Sequence, residues 1–278
     1  MSAQPESAGA AAPAAGTTAP AAGTTAHAAE PGVVTDGVGV ADHERVRTLT
    51  LCRPGRLNAF TSASYRALAG ALGAAARDHE VRVVELVGAG RAFSSGVDLD
   101  ALAAAADPAE YRDSFALLLE ELTAFPKPLL AGVHGAAVGF GMTILLHADV
   151  VVVADDARLR APFAALGTAP EAASSVLLPA LVGPQHAAEL LFTGRWITPE
   201  EAVKLGLAAR RCAPGDVRRE LRALARQIAV HPPEAIAAAK RLLRSGRAEQ
   251  AEAALRREDM ESRALRAGRG PLARSSLG

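Results

Sequence analysis

Neither sign of charge prevails in this chain of 278 residues: thirty Lys and Arg face thirty Asp and Glu. Nucleic acid or an anionic membrane as main partner would call for an excess of cations that is not there. Aromatic residues make up only 4%, while half of the chain is apolar, so the core has to be built from Ala, Val and Leu. There are two cysteines, Cys52 and Cys212, far apart in sequence. They form neither a disulfide framework nor a zinc pattern and suit a reducing cytoplasm. No run of about 18 apolar residues exists, so no membrane span is expected. The length allows one large domain or two small ones.

Large apolar side chains are also missing from the first 30 residues after Met1; thirteen of the 30 are Ala, and the hexapeptide AAGTTA occurs twice. Such a segment buries too little to offset its ordering entropy, which predicts a disordered Ala/Pro/Thr-rich tail over 1–33. It lacks the basic and leucine-rich regions of a secretory signal.

Strand-like and helix-like segments then alternate. Arg45 to Cys52, Val81 to Val87, Leu129 to Val133 and Asp149 to Ala154 are short apolar runs rich in Val and Leu. Thr61 is placed to cap a helix running to about Asp78. Tyr111, Phe115, Leu118, Leu122 and Phe125 recur at helical spacing, and Met142 to Ala148 is a further helix candidate. This alternation predicts an α/β fold with largely parallel strands, its core over 34–197. Beyond it, Thr198-Pro199-Glu200-Glu201 starts a helix, and Val217 to Val230, Pro233 to Ser245 and Ala248 to Arg266 read as helices. The section 198–278 is therefore expected to be mostly helical, serving either as an oligomer interface or as packing on its own subunit.

Two glycine-bearing loops follow strand candidates: Gly88 to Leu99, and His134 to Gly141. Neither completes the dinucleotide fingerprint, because Phe93 and Ile144 stand where the third glycine belongs, and no Walker lysine follows. Glycine loops that feed helix N-termini leave backbone N–H groups unpaired, and two of them side by side can form an oxyanion hole. The glycines can equally serve only to allow tight turns.

Four blocks, in order, carry a resemblance: Arg53-Pro54 through Leu57-Asn58-Ala59-Phe60; Ala92 to Leu99; Lys127 to Gly139; and Leu191 to Gly194 with Ala202 to Leu207. They resemble the enoyl-CoA hydratase/isomerase, or crotonase, family over roughly Val38 to Gln227. The resemblance implies a right-handed spiral of ββα turns closed by C-terminal helices that form a trimer or a dimer of trimers. It implies a soluble acyl-CoA enzyme of fatty acid metabolism, with coenzyme A as part of the substrate and no other cofactor or metal. It places the oxyanion donors at the N–H groups of Val97 and Phe140, and substrate contacts at Arg53, Ala59, Ser95, Gly96, Asp98, Gly139, Phe163 and Lys240. Phe140 departs from the family's usual glycine, so its ring has to point away from the donor. Arg53 and Lys240 are either CoA phosphate contacts or solvated surface charge. Asp98 is expected to fix its loop by accepting backbone N–H bonds.

Hydratases of this family resemble one another in having two glutamates, at positions that here read Thr143 and Phe163. Both carboxylates are missing. The run from Pro162-Phe163 to Pro170-Glu171 and Ser174-Ser175, with Ser94-Ser95-Gly96, instead resembles the Δ3,Δ2-enoyl-CoA isomerases. That resemblance makes Glu171 the single catalytic base, in apolar surroundings that are expected to raise its pKa. Without the resemblance, Glu171 reads as a cap of the following helix. A hydratase or other acyl-CoA reaction, or a non-catalytic acyl-CoA binder, is the alternative.

Overall fold

The computed structural model describes residues 32–268. The expectation for 1–31 lies outside these residues. Strand β1 (Val33–Thr35) already begins at Val33 and forms an antiparallel hairpin with β2 (Val38–His43), which pairs antiparallel with β3 (Val46–Leu51). Asp36 and Gly37 both have positive φ in the first two-residue turn, where the hairpin twist requires it. After α1 (Ser62–Arg77), strand β4 (Val83–Gly88) pairs parallel with β3. Helices α2 (Leu99–Ala103) and α3 (Pro108–Ala124) lead to β5 (Leu129–Val133), the short β6 (Ala136–Val138) and α4 (Phe140–Thr143). Then come β7 (Val150–Ala154), β8 (Arg158–Arg160), α5 (Phe163–Leu166), α6 (Ser174–Val182), α7 (Pro184–Thr193) and α8 (Pro199–Lys204). The chain continues through β9 (Arg210–Cys212), α9 (Val217–Ala229), α10 (Pro233–Ser245) and α11 (Ala248–Ala267).

Seven strands form one sheet in the order β1-β2-β3-β4-β5-β7-β9, parallel from β3 onward. Short segments make a second set of pairings outside it: Phe60 with Val97, Ser94 with Ala137, β6 with β8, and Leu159 with Ile197. Each turn of the chain thus contributes one long strand to the sheet and one short strand beside it, the repeat of a crotonase-like α/β spiral.

The period of two along the strands explains the layers. Leu49, Leu51, Val84, Leu86, Val151 and Val153 face the larger core, which also holds residues of α1 and α3. Val46, Val83, Val87, Leu130 and Val152 face the other way, onto Val217, Leu221, Ala225 and Ala229 of α9. These four recur every fourth residue and make one helical face. The helix comes so close that a Cβ on Gly132 would stand 3.0 Å from a Leu221 methyl.

Two expectations change. Strand β4 starts at Val83, not Val81, where parallel pairing with Val46 begins. The helix expected from Met142 starts at Phe140 and tightens into a 3-10 turn at Ile144–His147. The mostly helical section from 198 also contributes β9, which extends the main sheet, and its α9 covers the sheet's face.

Glu85, the acid that interrupts β4, lies on the α9 face with only 2% of its surface exposed. Arg222 of α9 grips it, with contacts of 2.8–3.2 Å, and also donates to Thr48 Oγ1, which itself donates to Glu85. Removing one partner of such a pair leaves a buried charge without compensation. R222A is expected to cost about 3 kcal/mol in urea unfolding, and the apolar double replacement E85V/R222L to recover most of it. A loss for R222A below about 1 kcal/mol would mean that the pair holds nothing in place.

Candidate active site

The site is built where the two glycine loops meet. Ser94 N–H donates to Ala136 O at 3.0 Å and Val138 N–H to Ser94 O at 2.9 Å, so the loops run side by side as strands. Missing side chains permit the contact. A Cβ on Gly96 would lie 2.5 Å from Val138 O, and one on Gly141 2.3 Å from Ser94 O. Gly96 also has φ +86°, and Gly139 has φ +55° with ψ −122°, which a side chain disfavours.

Asn58 holds the first loop. Its amide nitrogen donates to Ala89 O, Ala92 O and Phe93 O at 2.8, 2.8 and 3.2 Å, and its oxygen accepts Arg53 N–H at 2.9 Å. Ser94 Oγ donates to Asn58 O and accepts Gly96 N–H. Asp98 caps α2 by accepting Ala101 N–H at 3.0 Å, and pairs with Arg53 at 3.0 Å. Burial pushes its carboxyl up, but the Ala101 bond and the Arg53 guanidinium outweigh it and leave the group below the ordinary carboxylate value. Asp98 fixes the loop, as anticipated.

These bonds leave two donors spare. Phe60 N–H donates to Gly96 O and Asp98 N–H to Phe60 O, so this parallel bridge uses the groups on either side of Val97 and not Val97 N–H. Phe140 is the first residue of α4, where an N–H has no intrahelical acceptor. Among the described residues, neither N–H has a partner. The loops bring them close: Phe140 N is 3.2 Å from a Cβ built on Gly96, the neighbour of Val97. A Cβ on Gly139 would meet nothing within 4 Å, so open space adjoins the donors.

The Phe140 ring points away from that space. It is fully buried and meets the rings of Phe60, Tyr65 and Phe115 edge-on at 5.0–5.4 Å. Ala59 and Phe163 are buried and Ser95, two residues before Val97, is half-buried; Ser95 N–H donates to Leu57 O. Thr143, at one position where the family's hydratases carry a glutamate, is fully buried.

Glu171 lies in a strained turn. Ala172 and Ala173 have φ +60° and +57°, each costing about 1–2 kcal/mol for a residue with a Cβ. His147 Nε2 bonds Ala172 O at 2.9 Å, and burial lowers the His147 pKa to about 4, so the ring is neutral and donates. No hydrogen-bond donor among the described residues reaches the Glu171 carboxyl, which is half-buried. Burial first, then the charge of Glu258, raise its pKa to about 7, with Arg266 opposing. It lies within electrostatic reach of the aromatic cluster: after burial, its charge helps to raise the phenol pKa of both Tyr65 and Tyr111. Tyr65 stacks on Phe60 at 5.1 Å, and Tyr111 Oη donates to Phe60 O, the residue bridged to Val97. Glu171 is thus coupled through space to two tyrosines of the group on which the Phe140 ring packs.

Two cations are not where the sequence put them. Lys240 is buried, donates to Lys127 O and pairs with Asp149 at 2.7 Å, so it is neither a solvated surface charge nor open to a CoA phosphate. Arg53 is engaged by Asp98 and by Ala59 O, although a quarter of its side chain stays exposed. Sequence reasoning missed Asn58 as a hub and Glu258, because both act on backbone atoms of distant loops.

The raised Glu171 pKa has a cost in stability. Between its ordinary value of 4.5 and about 7, the folded chain holds a proton that the unfolded chain releases, so stability falls as pH rises through that window. E171Q removes the charge. It is expected to melt higher than the parent at pH 8, with the gap closing toward pH 4.5, in parallel thermal melts.

The family model described as enoyl-CoA hydratase/isomerase matches residues 42–266. The 2,3-dehydroadipyl-CoA hydratase of Escherichia coli (strain K12) is 36% identical over 220 residues, covering 79% of this chain and 86% of its own. Enoyl-CoA delta isomerase 2 of Rattus norvegicus is 34% identical over 222 residues, 78% of this chain but only 56% of the rat protein. Among solved structures, an enoyl-CoA hydratase/isomerase of Pseudoalteromonas atlantica T6c superposes with a TM-score of 0.78 at 34% identity, covering 82% of this chain and 91% of that one. OdaA of Pseudomonas aeruginosa does so with 0.78 at 37%, covering 83% and 94%. The chain belongs to the enoyl-CoA hydratase/isomerase family.

Proposed function

We propose that the protein is an acyl-CoA isomerase that moves a double bond from C3 to C2 of an enoyl-CoA, with Glu171 as its only acid/base. One combination of features supports the reading: two backbone N–H donors are spare where the loops meet and no described donor reaches the half-buried Glu171 carboxyl, while the family's two hydratase positions hold Thr143 and Phe163.

The thioester carbonyl oxygen accepts Val97 N–H and Phe140 N–H. Glu171 takes a proton from C2, and the electron pair of that C–H bond moves into a C1–C2 double bond, giving a dienolate. Each preorganised donor is worth about 3 kcal/mol as negative charge grows on the oxygen. The protonated Glu171 then returns the proton to C4. The C3–C4 double bond becomes C2–C3, and no water or second acid is consumed. A pKa near the working pH lets one group both take and give the proton. Phe163, Gly139, Gly96, Ser95 and Ala59 line the acyl path in this reading. Coenzyme A is part of the substrate, and no other cofactor is needed. Assembly as a homotrimer or dimer of trimers fits the exposed Val230, Leu242, Leu243 and Met260 of the C-terminal helices.

Incubation with a 3-enoyl-CoA is expected to give trans-2-enoyl-CoA. E171Q is expected to lose about 10³-fold or more in kcat while still binding acyl-CoA. The kcat/KM of the parent is expected to fall with an apparent pKa near 7 as pH drops, because the base must be ionised. A 3-hydroxyacyl product would indicate hydration, as the name of the Escherichia coli relative suggests. Binding without turnover would indicate an acyl-CoA binder.

A further inference from the structure

Helix α11 is polar along most of its length and buries one face only, made of Ala251, Ala254 and Glu258. A buried glutamate on such a face needs partners. Its two oxygens accept Ala173 N–H and Ser175 N–H, both at 2.8 Å. Helix α6 starts at this point and has no side-chain cap of its own. Glu258 thus supplies, from a helix some 85 residues onward, the cap that the local sequence does not. The capped residues are those that follow Glu171, and the turn is gripped from the opposite side by His147 at Ala172 O.

We propose that Glu258 is a positioning residue for Glu171: its carboxylate clamps the strained Ala172–Ala173 turn that follows the base and places a second acidic group near it. The inference rests on the reading of Glu171 as the base. The clamp acts against two left-handed alanines, which relax toward ordinary torsions when the N–H bonds are lost. The charge acts through space. The groups that face Glu171 are Glu258 and Arg266 of α11, Tyr65 of α1 and Tyr111 of α3, with neutral His147 behind Ala172. Of these, Glu258 adds to the burial that raises the Glu171 pKa, while burial also raises its own, and Arg266 works against it. Both oxygens of Glu258 are occupied by backbone donors, so it is not a second acid for water addition.

The test separates charge from position by two variants of the full chain. E258Q removes the charge and leaves one acceptor oxygen. E258D keeps the charge on a shorter arm. The first readout needs no turnover: the carboxyl ¹³C titration of Glu171, assigned as the resonance lost in E171Q. The midpoint is expected near 7 in the parent, lower in E258Q, and close to the parent in E258D. The second readout is kinetic. Both variants are expected to lose about 10- to 100-fold in kcat with KM within about twofold, the mark of a base displaced by a fraction of an ångström. In E258Q the acid limb of kcat/KM is expected to move down with the titration. Should E258Q fail to fold, E258D decides the matter: parental kcat there overturns the clamp. A parental midpoint and parental kcat in E258Q overturn the whole inference. Absence of isomerisation by the parent overturns the proposed reaction instead, and the ¹³C midpoint still reports whether Glu258 acts on Glu171.

Discussion

Everything in the site depends on two loops that approach at backbone distance. The Ser94 ladder to Ala136 and Val138 pulls them together, and glycine at 96 and 141 removes the atoms that would hold them apart. Most peptide groups on that seam have used their partners, and among the described residues the N–H groups of Val97 and Phe140 have none. The spiral makes the seam possible. Each turn returns a short strand to the same place beside the sheet, so loops separated by some forty residues become neighbours. Site geometry here is a product of main-chain register more than of side-chain choice, which is why a bulky Phe140 is accommodated: its ring belongs to the core and only its amide belongs to the site.

The electrostatics follow a consistent division. Charges that organise the scaffold are paired: Glu85 with Arg222, Asp98 with Arg53, Lys240 with Asp149. Glu171 is the exception, given burial and a like charge nearby but no donor. A carboxyl arranged in this way weakens the fold whenever it ionises, and its turn adds backbone strain. Capping by Glu258 and the His147 bond supply the compensation at the turn itself.

Much of this was legible in the sequence, for identifiable reasons. Long strands such as β7 declared themselves by apolar runs, and α1 by Thr61, which accepts Ser64 N–H as its cap. The glycine loops and Glu171 stood in motifs with fixed order. What escaped has a common cause. β6, β8 and β9 have three residues each, too few for any periodicity, and the antiparallel hairpin was overlooked although Asp36-Gly37 carried a turn signal. Lys240 looked like a surface cation because its burial depends on Asp149 and Lys127, about a hundred residues earlier. Asn58 sat inside a recognised block, yet three carbonyl partners some thirty residues onward cannot be inferred from an asparagine.

The bond between Ala173 and Glu258 also bears on synthesis. A ribosome makes the glycine loops, the turn and α6 well before it makes α11, so a chain that has emerged as far as β9 carries both loops and Glu171 but lacks the cap on that turn. The hydrogen bonds that hold the turn from α11 therefore form only after that helix has docked.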